Sequence, residues 1–129
     1  MTIAIRESFK GAPDDDGERL RLVREFVRTA QDDAASAEDV SALVADDPGT
    51  TGDPGWDAAV AGVAEWVAGR LGGIVPEWTD DPGRFLDVWW HAETTGFGRA
   101  GALANAPAAL RRRGVLIDPL GLVSDGVEL

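Results

Sequence analysis

The 129-residue chain contains no cysteine, a single histidine (His91) and a single lysine (Lys10). Without cysteine there is no disulfide frame, no thiolate metal site and no thiol nucleophile, and one histidine cannot supply a zinc-type ligand spacing. The N-terminal "MTIAIRESFKG" lacks a basic region followed by a long apolar run, and no apolar stretch reaches membrane-spanning length. A cytoplasmic protein without a membrane anchor is therefore expected. A phosphate-binding glycine loop is also missing, because "GRLGGIV" follows a helical pattern and lacks the strand-to-helix setting such a loop needs. The acidic groups Asp14-Asp15-Asp16, Asp32-Asp33, Asp46-Asp47 and Asp80-Asp81 do not alternate around a central glycine as calcium ligands do. No internal repeat is visible.

What the chain has in excess is negative charge: 23 acidic residues against 12 basic ones, a net charge of −11. Its long-range field disfavours direct nucleic-acid binding and suits association with a basic partner, although the same charge also serves solubility. The length fits one domain. Much of the 44% hydrophobic content is alanine, so five tryptophans and four phenylalanines must supply a large part of the core.

Hydrophobic periodicity divides the chain into a flexible acidic arm over residues 1–16 and a single helical domain over residues 17–129. In the arm, Ile3 and Ile5 alternate weakly, which reads as an edge strand or an unstructured segment. From Glu18 a helix is expected, with Leu20, Val23, Val27 and Ala30 on its apolar stripe and Arg21, Arg24 and Arg28 facing away. A second helix starts at Ser36 as N-cap and carries Val40, Leu43 and Val44. After the turn-rich "DDPGTTGDPG", Trp56, Val60, Val63, Val67 and Leu71 mark the clearest helix, stopped by Gly72-Gly73. Gly62 and Gly69 within it point to close passage of another helix. An irregular segment carrying Trp78 follows, then a short helix starting at Asp80-Asp81, an alanine-rich helix ending before Pro107, and "PAALRRRG", stopped by Gly114. "VLID" reads as extended, and Asp118 caps a last helical turn through Leu122. The fold class expected is mostly α: a small irregular multi-helix single domain with room for one short strand.

The candidate functional residues lie in "LDVWWHAE" and "RRRG". His91 would have Asp87 one turn back if the segment were helical, with Glu93 on a different face, which sketches a general base or part of a metal site. A histidine satisfied by local hydrogen bonds beside buried tryptophans fits the composition better. A small enzyme or metal-dependent hydrolase centred on His91 is accordingly the secondary reading, and no catalytic residue, metal ligand or cofactor is assigned. Trp89 and Trp90 cannot face the same way in a helix or a strand, so one enters the core while the other is open to a partner. Arg111, Arg112 and Arg113 either complement the end of their helix or contact a phosphate or carboxylate. The partner-binding set is therefore Trp89, Trp90, His91, Arg111, Arg112 and Arg113, and self-association is left open.

The order of segments adds a further expectation. From about Arg24 to the end, "TGDPGWDAAVAGVAE", "PEWT", "RFLDVWW" and "PAALRRRGVLID" resemble a family of small actinobacterial-type proteins with the pattern RFLDxxW followed by PAAxRRRGVxID. Similar modules stand behind helix-turn-helix domains or beside genes for nucleotidyltransferase-like toxins. The resemblance implies an antitoxin or regulatory partner that neutralises such a toxin, with a basic partner protein encoded nearby. "HAETTGFG" departs from the aromatic and proline-rich turn of the pattern, and no DNA-binding segment precedes the module, which argues against autoregulation through DNA.

Overall fold

The computed structural model describes residues 3–11, 13–92 and 96–120. Their regular structure is mostly helical: α1 (Ile5–Ser8), α2 (Asp16–Asp33), α3 (Ala37–Val44), α4 (Pro54–Leu71), α5 (Gly96–Asn105) and α6 (Ala108–Arg111). Two 3-10 turns, Glu77–Asp80 and Pro82–Arg84, follow α4, and a parallel pair is formed by β1 (Trp90–His91) and β2 (Val115–Leu116). No helix among the described residues is long and apolar enough to cross a membrane.

The fold is built around α4. Asp53 caps its start by accepting from the Gly55 N–H at 2.9 Å, Pro54 opens the first turn, and Gly72 at φ +79° ends it with Gly73 N–H bonded to the Ala68 carbonyl at 2.8 Å. Of the expected stripe, Trp56, Val60, Val63 and Val67 are buried and Leu71 is half-buried, and Ala58, Ala59, Ala61, Ala64 and Ala68 are buried as well. A helix buried around most of its circumference belongs in the centre of a domain. Accordingly α2, α3, α6, β2 and both 3-10 turns pack on it. Small residues set the approach: a Cβ on Gly62 would meet the Leu110 side chain of α6, as the sequence suggested, whereas at Gly69 nothing lies within 4 Å. Replacing Gly62 with alanine therefore trades a helix-propensity gain of about 1 kcal/mol against an overpacking cost of about 1–3 kcal/mol.

Helix α2 buries Leu20, Val23, Phe26, Val27 and Ala30 against α4, and α3 is capped by Ser36 as anticipated, with its side chain accepting from Asp39 N–H at 3.1 Å. Two local expectations change. Residues 5–8 form a helical turn in place of a strand or an unstructured arm, because Ile5 and Phe9, four residues apart, both enter the core. The short helix expected after Asp80-Asp81 is a 3-10 turn capped by the Asp81 side chain. Where the sequence left "LDVWWHAE" open, Trp90 and His91 are extended and pair with β2 in the register Trp90 to Val115 and His91 to Leu116. Asp118 does cap the following turn, accepting from Leu120 N–H at 3.0 Å, while Leu122 lies outside the described residues.

Candidate interaction surface

The chain reverses direction after α6 at Gly114, whose φ of +82° is a left-handed conformation open to glycine. Two backbone hydrogen bonds tie the "RFLDVWW" segment to this turn: Leu86 N–H donates to the Arg113 carbonyl at 2.9 Å, and Trp90 N–H to the Gly114 carbonyl at 2.8 Å. One chain advances four residues between these bonds while the other advances one. The surplus residues, Asp87, Val88 and Trp89, consequently bow out as an arc. Its underside rests on Gly114, where a Cβ would stand 3.0 Å from the Val88 carbonyl oxygen. Val88 is 73% exposed and Trp89 64% exposed, and beside them lies a shallow depression of about 290 Å³ walled by Leu86, Arg111 and Arg112.

The two tryptophans divide their roles as expected. Trp90 is half-buried; its ring occupies the notch left by Gly55 and meets Trp56 edge-on, with centroids 5.2 Å apart. Trp56 is fully buried and donates its indole N–H to the Asp16 carboxylate at 2.7 Å, which links β1 through α4 to the start of α2. Trp90 therefore anchors the arc, and Trp89 projects from it.

The arginine cluster also separates. Arg113 is fully buried, so it is removed from the partner-binding set. Its guanidinium donates to Glu65, to the Ala109 carbonyl at 2.8 Å and to the Thr79 carbonyl at 2.8 Å, and stacks over Phe85 at 4.7 Å. Burial lowers the proton affinity of this guanidinium, and Glu65 opposes that effect. For Glu65, burial disfavours the charged form, but hydrogen bonds from Arg113 and Arg112 outweigh it and hold its carboxyl below the ordinary glutamate value. Arg112 is an exposed residue paired with Glu65 at 2.9 Å and Asp80 at 3.4 Å, and its guanidinium also lies over Phe85. Arg111 turns back on α5, donating to the carbonyls of Leu103 and Ala106. The Leu103 carbonyl belongs to the last turn of α5 and the Ala106 carbonyl lies just past its end, acceptors that a cation in this position satisfies. Both residues line the depression with their guanidinium groups directed at intramolecular acceptors.

His91 lies on β1 with its residue exposed. The extended backbone removes the one-turn relation to Asp87 on which the general-base reading depended. Glu93 lies outside the described residues. Among those residues no group of three His, Cys, Asp or Glu side chains is arranged to hold a metal.

Two features are not evident from the sequence. Arg84 is buried, donating to the Asp57 carbonyl at 3.0 Å, the Asp47 carboxylate at 2.9 Å and the Gly49 carbonyl at 2.9 Å, and stacking on Trp78. It fastens the glycine-rich connector to α4. Val88 was missed because nothing in a short apolar run distinguishes a residue on a bulge from one in the core. A retrospective signal exists, since "RFLD" and "RRRG" are two halves of one contact through Phe85 and Leu86. Comparisons with family models, curated proteins and solved structures find no match to this chain.

Proposed function

We propose that this protein is a non-enzymatic, cytoplasmic interaction module, an antitoxin-like partner that binds and neutralises a basic nucleotidyltransferase-type toxin. The observation that carries the reading is the arc Asp87–Trp89, which holds a large aromatic and a β-branched side chain out of the core on a backbone pinned at both ends. A backbone pinned on both sides of Trp89 needs little ordering on binding, and aromatic anchors dominate interface energetics. The net charge of −11 supplies the complementary long-range term for a basic cleft. The toxin-directed part of the proposal rests on the resemblance of "RFLDVWW" and "PAALRRRGVLID" to the antitoxin-like pattern.

The test is co-expression with the product of the adjacent gene, followed by size-exclusion chromatography. The proposal predicts a co-eluting complex that relieves toxicity and weakens as salt is raised. Two proteins that elute separately at low salt would sink it.

A further inference from the structure

The five tryptophans differ in what stands against their rings. Trp56 and Trp90 meet edge-on, the Arg70 guanidinium lies over Trp66 at 5.0 Å, and that of Arg84 lies over Trp78 at 4.7 Å. Among the described residues, Trp89 is the one tryptophan with neither a ring nor a cation against it. The stacked arginines show what completes such a site. Arg84 is held on Trp78 and on the Asp47 carboxylate at 2.9 Å, Arg112 on Phe85 and on Glu65 and Asp80, and Arg113 on Phe85 and on Glu65. In each case an aromatic face takes the plane of the guanidinium while a carboxylate takes its N–H edge, two contacts that the planar fork makes at once.

The arc presents the same pair of groups without the cation. Asp87 is exposed, lines the depression together with Trp89, and makes no hydrogen bond or ion pair among the described residues. The arginines across the depression are engaged elsewhere: Arg111 donates to the Leu103 and Ala106 carbonyls, and Arg112 is paired with Glu65 and Asp80. The carboxylate of Asp87 is thus the charge on this side that is left without a partner. We infer that the arc receives an arginine side chain of the partner protein, its guanidinium stacked on the Trp89 indole and forked onto Asp87. This rests on the arc being the partner contact, as proposed above, and it specifies the partner's chemistry more narrowly than net charge does. A depression of about 290 Å³ has room for a side chain and not for a helix. Lysine fits less well, because its ammonium is strongly hydrated and offers no plane to the indole.

The direct test is an NMR titration of the full chain, without its partner, with a blocked tripeptide carrying a central arginine, and the lysine tripeptide as a parallel arm. The inference predicts saturable shifts of the Trp89 indole N–H and of the Asp87, Val88 and Trp89 amides, with the arginine peptide binding more tightly than the lysine one. Followed at the Val88 amide, arginine binding should weaken about two- to fivefold in Asp87→Asn and in Trp89→Ala. The remaining amide signals report folding in the same spectra. Absence of these shifts up to about 50 mM peptide, equal binding of the lysine peptide, or unchanged affinity in either folded variant would each overturn it. Because the peptide is titrated against the chain by itself, its failure leaves co-elution with the adjacent gene product standing, and separate elution of that product leaves the peptide result standing.

Discussion

Arg113 shows how one residue type can mean two things in one run. In "RRRG" three neighbouring arginines look equivalent, yet Arg112 is on the surface and Arg113 is fully buried on Glu65 and two carbonyls. Arg113→Ala is expected to cost about 3 kcal/mol or more in chemical denaturation, since it removes the fork that satisfies Glu65 and opens a cavity over Phe85. Arg113→Lys should restore little of that, because an ammonium cannot make the same divergent bonds or stack as a plane. Glu65 adds a pH signature. Its folded-state affinity for a proton is lowered, so its contribution is present above the ordinary glutamate value and is lost as pH falls through the lower folded value. Urea midpoints measured down the acid range should fall less steeply in Glu65→Gln than in the wild type. Gly114 makes a separate prediction: Gly114→Ala combines a left-handed φ with a Cβ placed 3.0 Å from the Val88 oxygen and should destabilise by roughly 1–2 kcal/mol while displacing the arc.

Among the elements, α4 with its stop at Gly72 and α3 with its Ser36 cap were legible in the sequence because helical period, capping residue and glycine stop agree there, whereas the caps Asp15 of α2 and Asp53 of α4 were not singled out. Burial of Arg84 and Arg113 was not legible, since it depends on acceptors more than 20 residues away. The arc was legible only in part. The parity of a Trp-Trp pair requires that one ring leave the core, but which ring leaves is set by a mismatch in hydrogen-bond spacing between residues 86–90 and 113–114. The division between the two tryptophans can be measured. Trp90→Ala should lower stability by about 3 kcal/mol through loss of the contact with Trp56, whereas Trp89→Ala should leave it within about 0.5 kcal/mol. Equal losses of stability in the two variants, read by thermal or urea unfolding, would contradict this assignment.

At the scale of the whole molecule, a helical core carries a strong net negative charge and, among the described residues, a projecting aromatic arc. A charge of −11 predicts that association with a basic partner accelerates at low salt, with the on-rate falling between about 50 and 500 mM salt while the off-rate changes less. The measurement that tests the central claim most directly is the affinity of the co-expressed partner for the wild-type chain and for Trp89→Ala, with folding of both checked by circular dichroism. The account predicts a loss of at least about 2 kcal/mol, near thirtyfold, in a variant as stable as the wild type. Unchanged affinity in folded Trp89→Ala would show that the arc is not the contact anchor.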